Sequence, residues 1–204
     1  RIPFLLSSVM VVIGLYVRVR LSETPVFMRA VAQGERVTSP LAQVFRSSWR
    51  QLIIGTFVML ATYTLFYIVT TWALSYGTGK RPPGGQGLGF NYVDFLQWQL
   101  VAVLFFAAML PLTGLLADRF GRRPTLLVVT AAIMAYGGLF APLLSPAASS
   151  PGKMLIFLII GMTLMGLTFG PMSAVLPELF PTNVRYTGSG ISYNAASILG
   201  AAVA

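Results

Sequence analysis

Few residues in this chain could do chemistry, and the densest group is Asp118-Arg119-Phe120-Gly121-Arg122-Arg123. One carboxylate among three guanidiniums suits ion pairing and charge-assisted hydrogen bonding rather than bond breaking. Asp118 sits where a helix should end, so its charge can meet a helix N-terminus or an arginine. If it is bonded in one conformation and released in another, the cluster biases a two-state equilibrium and works as a latch. Gly121 permits the backbone of a tight turn, and Gly114 lets a neighbouring helix come close. Arg119, Arg122 and Arg123 suit lipid headgroups and charge pairs across a domain seam. The plainer alternative is that they only set membrane orientation. Glu178 and Arg185 belong to the same seam or form a local ion pair.

Other polar groups fall inside apolar runs. Thr56, Tyr63, Tyr67, Thr70 and Thr71 recur at helical spacing on one face, which suits an aqueous substrate pathway. The alternative is that the threonines bond back to their own helix and the tyrosines pack in helix contacts. Ser189, Tyr193 and Ser197 follow at four-residue intervals, and Asn194 needs a substrate or a second helix as partner. Gln97 and Gln99 read as interfacial. Asp94, beside Asn91 and Tyr92, reads as an outer-interface residue that caps its helix, and less readily as a proton-coupling carboxylate. The chain has no His and no Cys. That rules out disulfides, cysteine metal sites and histidine proton shuttling, and effectively rules out zinc catalysis. No cofactor is expected, and without a visible nucleophile–base pair the chain does not read as an enzyme.

The elements that must position these groups are long and apolar. Residues 95–117 carry no charge over 23 positions and residues 124–152 carry none over 29, where about 20 suffice to cross a bilayer. The 204 residues are 56% hydrophobic and 9% charged, against about 25% charged in a soluble domain. Six apolar segments are expected, at about Ile2–Val17, Leu52–Ser75, Val93–Ala117, Pro124–Leu144, Met154–Leu176 and Thr187–Ala204. All should be helices, because lipid offers the backbone no other partner and the alternation of a barrel is absent. The fold class is therefore all-α, a polytopic membrane helical bundle.

A net charge of +9 could suggest a nucleic-acid partner, but the basic residues sit at the edges of apolar runs, so the expected partner is the lipid bilayer. Alternate connections hold ten and four of the Lys and Arg residues, which places residues 18–50, 118–123 and 177–186 in the cytoplasm. Residues 25–32 could lie on the membrane as an amphipathic helix. The Gly- and Pro-rich link 76–89 reads as a mobile loop. Both ends fall at or within apolar runs and read as cuts in a longer chain. In the spans, Gly166 and Gly170 form a small-residue contact motif.

Three pieces in register carry a resemblance: Arg20-Leu-Ser-Glu-Thr-Pro-Val-Phe, Gly114-Leu-Leu-Ala-Asp-Arg-Phe-Gly-Arg-Arg123, and Pro177-Glu-Leu-Phe-Pro-Thr-Asn-Val-Arg-Tyr-Thr-Gly188. Together they resemble the major facilitator superfamily of transporters, in its carboxyl-terminal half from about span six to span eleven. The opening Arg1-Ile-Pro-Phe-Leu-Leu-Ser and the Val-Arg-Tyr-Thr-Gly piece favour the metabolite:proton symporters over the sugar porters. That resemblance implies a major facilitator fold, here partial. Residues 1–17 would end span six, 18–50 would be the cytoplasmic central loop, and 51–204 the carboxyl-terminal transmembrane half. It implies proton-driven alternating-access uptake of a small organic acid or zwitterion of dicarboxylate, α-ketoglutarate, shikimate or betaine type. The setting would be a bacterial inner membrane, with the amino-terminal half of the same transporter as partner. A sugar or polyol facilitator and a non-transporting membrane fragment are the alternatives.

Overall fold

A computed structural model describes residues 2–20, 39–147 and 149–204. The expected surface helix at residues 25–32 lies outside the described residues. Residues 1–38 and 39–204 form two separate compact units. The first contains α1 (Ile2–Arg20), with Arg18 and Arg20 in its last turn, where cations complement the helix dipole. The Arg20 guanidinium lies 5.4 Å from the centroid of the Tyr16 ring.

The second unit is a helical bundle. It opens with the short α2 (Pro40–Ser47) and continues with α3 (Trp49–Thr78), α4 (Tyr92–Phe120) and α5 (Arg122–Gly137). After these come α6 (Phe140–Leu144), α7 (Pro151–Glu178) and α8 (Arg185–Val203). No strand occurs among the described residues. The helices α3, α4 and α7 are each long and apolar enough to cross a membrane. Half of the most apolar window of α7 is buried, against 17% for α4. The helix α7 is therefore the central post, and α4 keeps an apolar flank (Leu100, Leu104, Leu115) exposed, as lipid allows.

Glycine lets the helices meet. A Cβ on Gly166 would lie 2.6 Å from the Phe106 carbonyl oxygen and 2.8 Å from Met109 Cβ; one on Gly170 would lie 3.0 Å from the Leu110 oxygen. Both numberings rise together, so α4 and α7 run parallel at backbone contact. The helices α3 and α8 make the matching seam, through Gly55 against Ser192 and Gly200 against Tyr63 and Thr64. Met162, Met165 and Met172 are buried in the core.

Two expectations are corrected. The segment expected as one span over Pro124–Leu144 is broken at Gly138 and Leu139, where the N–H groups donate to Ala135 and Tyr136 at 3.0 Å each. Adjacent Gly137 and Gly138 weaken the helix there, and Tyr136 ties the end of α5 to the Phe157 carbonyl at 3.0 Å. Nor is the Gly- and Pro-rich link open. Leu88 is fully buried, its N–H reaches the Tyr76 carbonyl at 2.9 Å, and the Phe90 N–H reaches Gly77 at 2.9 Å. Arg81 Nε also donates to the Leu88 carbonyl.

A single residue joins α4 to α5. Gly121 adopts φ 92° and ψ 146°, a region closed to residues with a Cβ. Its N–H closes α4 on the Ala117 carbonyl at 3.0 Å. The Thr125 hydroxyl donates to the Gly121 carbonyl at 2.8 Å and so ties down the start of α5.

Three substitutions test this packing and the turn in the purified full-length protein, by thermal unfolding in detergent. Gly166→Val should destabilise by about 1–3 kcal/mol, since the added carbons meet backbone that cannot retreat. Gly137→Ala, where a Cβ would meet nothing within 4 Å, should change little. Gly121→Ala should cost about 1–3 kcal/mol from backbone strain alone.

Candidate functional site

The arginine-rich turn is built by three helix ends. The last turn of α4 carries Asp118 and Arg119, the first turn of α5 carries Arg122 and Arg123, and the last turn of α7 carries Glu178. Arg122 Nη1 is hydrogen-bonded to Glu178 Oε2 in an exposed ion pair. Glu178 holds the Arg122 guanidinium charged even more firmly than usual, first by that bond and then by its field, with a smaller contribution from Asp118. The local pair open to Glu178 and Arg185 is not made. Arg185 instead donates from Nε to the Phe180 carbonyl at 3.4 Å, because α8 starts only after the turn through Phe180.

Asp118 is exposed, and no hydrogen bond or ion pair joins it to the described residues. A carboxylate at the C-terminal end of a helix faces that helix's own negative pole, and the nearby Arg122 charge acts on Asp118 through space without a direct bond. Arg119 lies 5.4 Å from the Phe120 ring centroid, and Arg123 is exposed. The close helix contact expected at Gly114 is absent here, since a Cβ would meet no atom within 4 Å.

The polar stripe of α3 does not form one open face. Thr56 is buried and returns its hydroxyl to the Leu52 carbonyl at 2.8 Å. Ser192 of α8 donates to that same carbonyl at 3.2 Å. Tyr63 is buried, edge-on to Tyr193 with ring centroids 5.1 Å apart. The Tyr67 hydroxyl and Ser197 Oγ are 3.1 Å apart. These residues belong to the α3–α8 seam. Thr70 turns its hydroxyl back to Phe66 at 2.6 Å, and Thr71 is exposed beside it with the hydroxyls 3.5 Å apart.

A pocket of about 310 Å³ opens between α3, α7 and α8. Met59, Met172 and Leu176 give it apolar walls, and Ser173, Ser189 and Tyr193 bring hydroxyl groups. Of the sequence-expected residues, Tyr193 and Ser189 line it, while Tyr63 backs it through the Tyr193 ring. Asn194 is exposed and donates to the Gly190 carbonyl at 2.8 Å, off the pocket wall. Sequence reasoning missed Phe169, Ser173 and Ser192. Ser192 was open to detection, since it precedes Ala196 and Gly200 at four-residue spacing along the buried stripe of α8.

Asp94 is exposed in the first turn of α4, where its charge suits the helix dipole. The cap is Asn91 rather than Asp94: Asn91 Oδ1 accepts from the N–H groups of Val93 at 2.8 Å and Asp94 at 3.4 Å. Gln97 is exposed. Gln99 is turned inward and donates from Nε2 to the carbonyls of Thr70 at 2.9 Å and Val69 at 3.3 Å.

Comparison with known proteins adds what one chain alone lacks. A family model of the Major Facilitator Superfamily matches residues 1–204. The chain is 49% identical over 206 residues to the inner membrane metabolite transport protein YhjE of Escherichia coli K12, covering 100% of this chain and 46% of that protein. It is 44% identical over 208 residues to a putative metabolite transport protein of Haemophilus influenzae, covering 100% of this chain and 47% of the relative. The proline/betaine transporter of Escherichia coli K12 is 28% identical over 217 residues, covering 95% of this chain and 39% of that protein. The chain thus spans about half the length of the curated relatives it matches. No solved structure matches it. An all-α bundle with membrane-length helices, an Asp-Arg-Phe-Gly-Arg-Arg turn and a family match along its whole length is a member of the Major Facilitator Superfamily.

Proposed function

We propose that this chain is the carboxyl-terminal half of a secondary transporter that moves a small organic acid or zwitterion together with protons by alternating access. The observation that carries the reading is the 49% identity, along the whole chain, to a protein named for metabolite transport in an inner membrane. The chain is a multi-pass inner (plasma) membrane protein, and transport belongs to the whole protein of which it forms about half.

In this reading, residues 1–17 close span six, 18–50 form the cytoplasmic central loop with α2 inside it, and 51–204 form the transmembrane half. The arginine-rich turn lies on the cytoplasmic side. Gly114, Asp118, Arg119, Gly121, Arg122, Arg123, Glu178 and Arg185 form the gate there. The free carboxylate of Asp118 and the open flank at Gly114 meet the amino-terminal half when that side is closed. Glu178 bonds Arg122, so that guanidinium does not take Asp118 as its hydrogen-bond partner.

The pocket between α3, α7 and α8 is this half's share of the substrate pathway. Its lining runs from Pro177 and Tyr186 at the cytoplasmic end to Met59 and Tyr193 deeper in the spans, toward the mid-membrane level where such sites lie. Tyr193 and Ser189 take part directly, Tyr63 and Tyr67 hold the wall, Thr56 and Asn194 flank it, and Thr70 and Thr71 stand further along α3 on the same pathway. Asp94, far out at the start of α4, is the weaker candidate for proton coupling. No cofactor and no catalysis enter this account.

The test is uptake by the full-length protein in proteoliposomes under an inward proton gradient. The panel is labelled α-ketoglutarate, shikimate, a betaine, citrate and glucose. The expected result is accumulation of an acid or of the betaine, abolished by a protonophore. Equilibration of glucose regardless of the gradient would overturn the reading in favour of a sugar facilitator. Asp118→Asn should slow the initial rate by about tenfold, within the roughly 5- to 150-fold span of typical coupling energies, at an unchanged amount of protein in the membrane.

A further inference from the structure

Helix α3 is interrupted by a π-helical stretch at Ile68–Trp72. There the Ala73 N–H donates to Ile68, five residues back. In an α-helix that N–H would go to Val69, so the wider turn takes from the Val69 carbonyl its ordinary donor. The two N–H groups of one side-chain amide, that of Gln99 on α4, serve this carbonyl at 3.3 Å and the next, of Thr70, at 2.9 Å. Both facing groups are acceptors only, so the amide must turn its nitrogen to them. On the other side Val69 is fully buried against α7, where a Cβ on Gly161 would lie 2.5 Å from Val69 Cγ2.

A π turn also sets rotation. One extra residue in a turn swings all that follows by about 100° relative to an unbroken α-helix. At the end of the turn, Trp72 stacks on Tyr76 with ring centroids 5.0 Å apart and planes 7° from parallel. The Tyr76 hydroxyl donates to Leu144 at 3.0 Å. The Tyr76–Leu144 bond reaches out of the helix beyond the turn, so its direction depends on the rotation that the π turn imposes.

We propose that Gln99 is a positioning residue: a clasp from α4 that holds the π turn of α3 and so fixes the direction of Thr70, Thr71 and the helix end beyond them. The contact joins two spans through a side-chain amide beside ordinary apolar packing such as Phe95 against Gly77, and such a bond can be released and remade when the spans shift. A carbonyl ladder within one helix could not be exchanged in that way. The transport consequence rests on the function proposed above; the clasp itself does not.

The test is amide hydrogen exchange on the full-length transporter containing this chain, wild type against Gln99→Leu. Peptides over 66–78 report the turn and peptides over 154–166 serve as reference. Exchange at 69–78 should rise by about tenfold or more, as for a locally opened segment, with the reference unchanged. Gln99→Glu, which keeps the length but loses the paired donors, should reproduce the rise, and Gln99→Asn should fall between. Should Gln99→Leu not accumulate, Gln99→Glu carries the same reading. Equal exchange in wild type and variant would overturn the clasp, and so would a rise shared equally by the reference peptides. In the uptake assay, Gln99→Glu should raise KM by about fivefold or more at an unchanged amount in the membrane. An unchanged KM beside altered exchange would limit the clasp to the fold and overturn its positioning role. Because exchange is read without transport, a failed substrate panel leaves the clasp result standing.

Discussion

Hydrocarbon contains no water to accept or donate a hydrogen bond, so each backbone group that leaves the α-helical ladder must find another partner in the protein. The rest of this structure follows from that constraint. Where α3 widens into a π turn, Gln99 crosses from α4 to the freed Val69 carbonyl and to that of Thr70 beside it. At Pro111, which removes a donor from the middle of α4, the chain stays helical against α7. Close by, Thr113 binds Met109 at 2.6 Å and approaches the Gly166 carbonyl at 3.4 Å. Where α4 must end, one glycine closes the helix and opens the next.

Close approach is the second consequence. Lipid is as apolar as leucine, so helices gain little by burying apolar area and associate instead through van der Waals contact and interhelical polar bonds. The glycines at positions 55, 166, 170 and 200 bring backbones within reach, and Ser192 and Thr113 use that proximity to reach carbonyls across the seam. Two parallel pairs result, α4 with α7 and α3 with α8, and the pocket opens between α3, α7 and α8. A bundle assembled from such seams can shift as packed units. In the function proposed here, the exposed Asp118, without a hydrogen-bond or ion-pair partner among the described residues, reports the position of the other half.

Much of the fold was legible in the sequence because hydropathy is a one-dimensional signal. Uncharged runs of 23 and 29 residues admit few structures in lipid, and the charged turn between them had to be short. The break at Gly138 was visible in the glycine pair but outweighed by the length of the apolar run. The π turn left no trace: Ile68-Val-Thr-Thr-Trp72 is an ordinary apolar stretch, and its donor lies about thirty residues away on another helix. Side-chain roles were hardest to read. Helical spacing placed Thr56, Tyr63 and Tyr67 on one face correctly, yet spacing cannot say whether that face meets water or α8. Asn91 and Asp94 competed for one cap, and geometry chose the amide oxygen that both N–H groups could reach.

The central proposal is that Asp118, with no hydrogen-bond or ion-pair partner among the described residues, finds its partner in the other half. The chain contains no cysteine, so Asp118→Cys gives a single reactive site in this half once any cysteines in the remainder of the full-length protein are replaced. The measurement is cross-linking of that site to cysteines placed one at a time along the amino-terminal half, with and without substrate. The account predicts a cross-link that forms efficiently in one condition and falls severalfold in the other, as a coupled seam requires. Cross-links confined to residues 119–123 and 178, or none that respond to substrate, would contradict it.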